Sequence, residues 1–275
     1  MSGPQRQEAQ QKLMSDHEFL ESCTDGSLSR IDAISVTTAL DASTQSSGLK
    51  KAAENDHFNV VRYLLEVEPA IDLDSATANL AAWNGLHMYR LLHSRYPNMI
   101  HWLFGPEGRM GNAVHTAVRS YDTGLLTYLL DNGGDPGRTP ECTRYGDVFT
   151  PIEHAALVNN EEASRILVKY GATFRATEVL VIATQFGLLG LVRCFIELGA
   201  DINYIRGLED PYWDTCSNPC TSPLHMAVKC GQVEIVRLFV AHGVDPKLRD
   251  MSGMTARALA SDTGNEHILE ILENA

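Results

Sequence analysis

The sequence predicts an all-α fold, a solenoid of about seven to eight helix-turn-helix units stacked side by side. Three observations predict it. Residues 221–246, TSPLHMAVKCGQVEIVRLFVAHGVDP, carry two short apolar helical patterns, parted at Gly231 and closed at Gly243. Neither pattern is long enough to stand alone, since isolated helices shorter than ~12–15 residues are marginal in water. The same template, a capping residue with a small residue and then a turn residue nine positions on, recurs from starts near 17, 47, 76, 112, 150, 178, 222 and 255. Units that cannot bury their apolar faces alone must bury them against copies of themselves.

The units follow in chain order. MSGPQRQEAQQ opens the chain, so residues 1–16 are expected as a polar N-terminal tail and 17–275 as a single repeat domain. The unit at His17 turns at Gly26, and residues 17–45 read as an N-terminal cap. Ser47 leads to Ala52 and Asp56, and Ala76 to Ala81 and Gly85. Asn112 leads to His115, Ala117, Tyr121 and Gly133, where a tyrosine occupies a position that wants positive φ. Thr150-Pro151 leads to Ala155, Asn159 and Gly171, and Glu178 to Ala183, Gly187 and Gly199. The unit at Ser222 is the most complete. Ser222 can cap the helix, and Pro223 suits its first turn because the missing N–H would be unpaired there. Leu224, Ala227 and Val228 share one face, and the small Ala227 lets a neighbour pack close. Val233, Val236, Phe239 and Val240 form the second stripe. The last unit runs from Thr255 through Gly264, and its Arg257 and Glu266 suit a solvated capping end.

SPLHMAVKCG, TPIEHAALVNN and NAVHTAVRSY resemble the T-P-L-H-x-A helix start of the ankyrin-repeat family, and LGADIN and HGVDP resemble its helix-end turn. The resemblance spans residues 17–275. It implies a concave groove lined by the first helix of each pair, with hairpin fingers between pairs. It also implies that the rings of His115 and His225 tie hairpin to helix. The spacings between starts are 30, 29, 36, 38, 28, 44 and 33, and only the last equals the family period of 33. The excess falls in three connections, 97–111, 134–149 and 204–220. Such long loops are commonly functional or disordered. Trp102, Phe104, Tyr145, Phe149, Tyr204, Tyr212 and Trp213 argue for order, since disordered segments are poor in aromatics.

By the same resemblance, groove positions fall seven and eight residues after each start. They read Glu54-Asn55, Trp83-Asn84, Arg119-Ser120, Leu157-Val158, Gln185-Phe186 and Lys229-Cys230. The leading expectation is therefore a module that binds a protein partner. Trp83, Asn84, Arg119, Ser120, Leu157, Val158, Gln185, Phe186 and Lys229 would do so in the groove, with Trp102, Tyr212 and Trp213 on the loops. An alternative places a partly apolar small molecule beneath the loops. His115, Glu153 and His154 would then supply acid–base groups and Arg119 an anion clamp, for hydrolysis, cyclisation or isomerisation. Against both stands a structural reading, in which Leu157 and Phe186 pack under loops and the polar residues form an interior network. No G-x-x-x-x-G-K-[ST], G-x-S-x-G or H-E-x-x-H occurs, and the sequence leaves catalysis open.

Composition narrows the partners. Lys and Arg number 22 against 35 Asp and Glu, a net charge of −13 with no basic block, so neither nucleic acid nor a membrane surface is expected. A partner carrying positive charge is favoured. No apolar run approaches the ~20 residues of a membrane span, and the N-terminus lacks a signal peptide's apolar stretch. The six cysteines are then expected reduced, in the cytoplasm or nucleus and not in a secreted protein. Cys216 and Cys220 lack a matching second pair, so neither metal nor cofactor is expected.

Overall fold

A computed structural model describes residues 3–67, 71–105, 110–137, 149–174, 179–205 and 222–275. Sixteen α-helices occur among them, in eight pairs: α1 (Gly3–Asp25) with α2 (Leu28–Thr37), α3 (Ala42–Glu54) with α4 (Phe58–Val67), α5 (Ser75–Trp83) with α6 (Leu86–Arg95), α7 (Ala113–Arg119) with α8 (Thr123–Asp131), α9 (Pro151–Leu157) with α10 (Glu161–Lys169), α11 (Val179–Gln185) with α12 (Leu189–Glu197), α13 (Pro223–Lys229) with α14 (Val233–Ala241), and α15 (Ala256–Asp262) with α16 (Glu266–Glu273). No strand appears among the described residues beyond one isolated bridge, Arg249 with Thr255. The all-α repeat architecture is as the sequence predicts. Helix α1 runs through most of the stretch expected as a tail, leaving Leu13 and Met14 exposed.

The helices cluster into two units, 1–133 and 134–275, each of four pairs. In the first, α1 packs on α3, α3 on α5 and α5 on α7. In the second, α9 packs on α11, α11 on α13 and α13 on α15. Side-chain size explains the close stacking of first helices. Ala52, Ala53, Ala81, Ala82 and Ala117 are wholly buried in one unit, as are Ala155, Ala156, Ala183, Ala227 and Ala260 in the other. The second helices supply bulk instead, with Leu64, Leu92, Leu129, Leu167, Phe195 and Phe239 at the core.

Each first helix needs its start satisfied, because its leading N–H groups have no intrahelical acceptor. Side chains of Asp41, Asp74, Asn112, Thr150, Ser222 and Thr255 accept those hydrogen bonds. Each first helix also ends in one left-handed residue before the second begins. These are residues 26, 56, 85, 121, 159, 187, 231 and 264, each nine positions beyond a repeat start. Five are glycine. Asp56 (φ 55°) and Asn159 (φ 55°) tolerate the region through short polar side chains, but Tyr121 (φ 58°) has no such help. Tyr121→Gly is therefore expected to stabilise the chain, by about 0.5–1 kcal/mol, once glycine's own entropy is set against the ~1–2 kcal/mol of left-handed strain. A higher urea midpoint than wild type is the expected reading, with Asn159→Gly giving a smaller gain.

The first long connection is ordered where described. After α6 a 3-10 helix spans Pro97–His101 and buries Met99 and Ile100, with Phe104 buried just beyond. The Phe104 N–H donates to Gly111 O at 2.7 Å and the Met110 N–H to Phe104 O at 3.0 Å. The chain thus folds back and delivers Met110 to the end of the connection. Most of the second and third connections lies outside the described residues.

Candidate functional site

The paired positions expected in the groove share one structural place. Trp83, Arg119, Leu157, Gln185 and Lys229 are the last residues of α5, α7, α9, α11 and α13. Asn84, Ser120, Val158 and Cys230 are the C-caps that follow, and Phe186 stands in the equivalent place after α11. The register follows from the left-handed turn, which fixes where each helix stops.

In the first unit, α5 and α7 pack together and bring Trp83 and Arg119 into contact. The Arg119 guanidinium carbon lies 5.6 Å from the Trp83 ring centroid, within cation–π range. Trp83 remains 45% exposed, so the arginine covers part of the ring and leaves the rest to solvent. Arg119 Nη2 donates to Met110 O at 3.2 Å and to Thr116 Oγ1 at 3.4 Å. Thr116 Oγ1 in turn donates to Asn79 Oδ1 at 3.0 Å, linking α7 to α5. Arg119 Nε is buried without a hydrogen-bond partner among the described residues. Burial draws the Arg119 pKa below its ordinary value. Met110 and Tyr121 are exposed nearby in the chain, Tyr121 by 55%.

Asn84 and Ser120 are tied into the scaffold. The Asn84 side-chain amide donates to Ala53 O across to the preceding pair, and Ser120 Oγ to Ala117 O at 3.3 Å. Trp102 is half-buried at the end of the 3-10 helix. Tyr212 and Trp213 lie outside the described residues.

The second unit carries its own part of the set. Phe186 is 57% exposed, Gln185 and Lys229 are exposed, and Leu157 and Val158 are half-buried. Cys230, the groove position beside Lys229, is exposed, its Sγ 3.7 Å from Met226 Sδ. Cys23 and Cys194 are buried, which pushes their thiols up to about 12 and about 11 and keeps them protonated.

The residues of the acid–base alternative fall at helix starts. His115 is wholly buried and its Nδ1 accepts from the Asn112 backbone N–H at 3.2 Å, completing a capping box. Glu153 completes another, its Oε2 accepting from the Thr150 N–H and Oγ1–H, both at 2.8 Å. His154 is half-buried, edge-on to Phe149 at 5.9 Å. His115 and Arg119 belong to the first unit, Glu153 and His154 to the second. A catalytic pocket holds roughly 300–1,000 Å³. The space bounded by Phe174, Val179, Val181, Ala200, Tyr204 and Pro223 holds about 10 Å³, room for one water. Open clefts of about 400 Å³ beside Arg237 and Glu270, and about 320 Å³ beside Lys50 and Asp74, include none of the expected site residues.

The Met110 carbonyl that holds Arg119 was not in the expected set; it depends on a contact between residues nine apart in the chain, which no local pattern encodes.

Comparison with known proteins bears on these helix pairs. Residues 180–275 match the family model for ankyrin repeats, with three copies. The chain is 26% identical over 131 residues to ankyrin repeat protein FPV223 of Fowlpox virus (strain NVSL), covering 46% of this chain and 82% of that protein. It is 26% identical over 172 residues to Rabankyrin-5 of Mus musculus, covering 62% of this chain and 12% of that protein. Zygote-specific protein 3 of Chlamydomonas reinhardtii is 42% identical over 45 residues, 16% of this chain and 12% of that protein. The chain thus spans about an eighth of the length of the last two relatives. No described helix is long and apolar enough to cross a membrane. The chain thus carries ankyrin repeats, three of them matched directly over residues 180–275, and its left-handed turns keep the same fixed step in the pairs before them.

Proposed function

We propose that the chain is a protein-binding module that holds a partner's side chain against Trp83 and Arg119. Ankyrin repeats are generally protein-interaction modules, and the observation that supports this particular surface is the pairing itself. A half-exposed tryptophan lies against a half-buried arginine at the C-terminal ends of α5 and α7. Trp and Arg dominate binding energetics because both bury large, rigid or planar groups at modest entropic loss. Capping, packing and the Asn79–Thr116 link already hold the two helices together. The exposed ring of Trp83 is thus spare to the fold and available to a partner. In the second unit, Phe186 with Lys229 and Gln185 offers a further exposed strip. The catalytic alternative has no comparable support, since the enclosed ring of His115 cannot reach a substrate proton.

Trp83→Ala tests the proposal. Partners retained on the immobilised full chain are to be identified by mass spectrometry for wild type and variant. Truncating a central aromatic anchor removes ~2 kcal/mol or more of binding, roughly thirtyfold. At least one partner should therefore be retained by wild type and lost from Trp83→Ala at an unchanged urea midpoint. Identical retention by both proteins would remove Trp83 from the binding surface.

A further inference from the structure

The Trp83–Arg119 pair also specifies what it takes, and this step rests on the proposed binding role. We infer that the pair receives a carboxylate: a single Asp or Glu side chain, beside an apolar residue, on a segment of the partner protein.

Donor counting carries the argument. A guanidinium and an indole N–H only donate hydrogen bonds and never accept them. Both hydrogen bonds of Arg119 among the described residues leave through Nη2, to Met110 O and Thr116 Oγ1. Among the described residues Nη1 makes none and is not enclosed, and the indole N–H of the 45% exposed Trp83 makes none either. The site therefore presents unmet donors beside an exposed aromatic surface. Its natural complement is an acceptor-only group flanked by apolar atoms.

Charge points the same way. The chain carries 35 acidic residues against 22 basic ones, so a cation has many acids to choose from. Arg30, Arg165 and Arg257 have each found one, with N···O separations down to 2.7 Å. Arg119 makes no ion pair among the described residues, although it is half-buried and a pair there would be screened less than one on the surface. Met110 and Thr116 hold it in place, and α5 supplies only the face of an aromatic ring. An arginine positioned by neutral groups keeps its charge for an outside anion.

A carboxylate fits better than a phosphate. One guanidinium offers one positive charge, and a phosphate monoester brings nearly two negative charges into the field of a chain at −13. A lone carboxylate meets the charge one to one. Basic residues elsewhere on the same segment would be drawn by the acidic surface around it, which reconciles an acidic anchor with the positively charged partner expected from composition.

The test uses a displayed library of random 12-residue peptides, panned on the full-length chain and on Trp83→Ala, Arg119→Gln and Arg119→Glu. Peptides that need Trp83 are expected to be enriched in Asp or Glu adjacent to an aromatic or aliphatic residue. On Arg119→Gln that acidic preference should vanish, and on Arg119→Glu it should turn to Lys or Arg. A selected peptide synthesised with its Glu→Gln change should bind wild type about tenfold more weakly, and Arg119→Gln with no such difference. Urea midpoints for all variants separate lost contacts from lost folding. Trp83-dependent peptides without an acidic preference, or a preference indifferent to Arg119, overturn the carboxylate while leaving the binding role intact. Tighter binding of the phosphoserine version of a selected peptide than of its Glu version also overturns it. Absence of any Trp83-dependent peptide counts against the binding role itself.

Discussion

His225→Ala is expected to lower stability by about 2–4 kcal/mol, although the residue lies far from the candidate site in sequence. His225 is 1% exposed. Its Nε2–H donates to the Met254 carbonyl at 2.9 Å, and its Nδ1 accepts from the Ser222 hydroxyl at 2.7 Å. Ser222 caps α13, whereas Met254 belongs to the turn that leads into α15. One ring thus fastens the start of one pair to the approach of the next. Alanine removes both bonds, about 1 kcal/mol each and more where a buried group is left unpaired, and it empties a ring-sized volume. The loss should appear as a lower urea midpoint, with a control at Lys229→Ala, exposed at the other end of the same helix, shifting by no more than about 0.5 kcal/mol. A loss below ~1 kcal/mol would mean that the tie between the pairs is not made in solution.

How far the sequence was readable follows from which interactions are local. The turn after each first helix needs a left-handed residue, and only a few residue types take that conformation cheaply, so it shows in sequence at the glycines, Asp56 and Asn159, while Tyr121 is placed by its nine-residue step alone. Caps are equally local, which is why Ser222, Thr150 and Asn112 could be recognised one residue ahead of their helices. The places of Trp83 and Arg119 at helix ends then follow by counting. Their contact does not. It depends on α5 packing against α7 and on the Met110 carbonyl brought back by a loop, both non-local. Net charge is a different kind of quantity: a value of −13 averages over the chain and says nothing about one arginine held by neutral groups. Similarly, a polar N-terminal stretch reads as a tail by composition, although nothing in QEAQQKLMSDHEFLES forbids a helix, and α1 passes through it. In the first long connection Met99, Ile100 and Phe104 are buried, as its apolar residues suggest, whereas Tyr212 and Trp213 of the third lie outside the described residues.

Gly48 inverts a general rule, and its replacement should be among the most damaging single changes in the first unit. Glycine in mid-helix is destabilising by roughly 0.5–1 kcal/mol relative to alanine, so Gly48 within α3 looks like a place to gain stability. The packing of α1 on α3 decides otherwise. A Cβ at Gly48 would lie 2.4 Å from Cε1 and 2.9 Å from Cζ of Phe19, and 3.1 Å from Cys23 Sγ. Phe19 and Cys23 are wholly buried, so neither has space to swing away. Overpacking of this kind costs about 1–3 kcal/mol, which exceeds the propensity gain. Gly48→Ala should therefore lower the urea midpoint, and Gly48→Val should lower it further, toward a loss of ~3 kcal/mol, because a branched side chain adds atoms on the same side. The cause can be isolated with a second change. Phe19→Leu withdraws the ring edge from Gly48, so the Phe19→Leu/Gly48→Ala double variant should be less destabilised than the sum of its parts, with a coupling of about 1–2 kcal/mol. Strict additivity would mean that α1 does not rest on α3 through this contact, and a stabilised Gly48→Ala would mean that helix propensity outweighs the fit between the first two pairs.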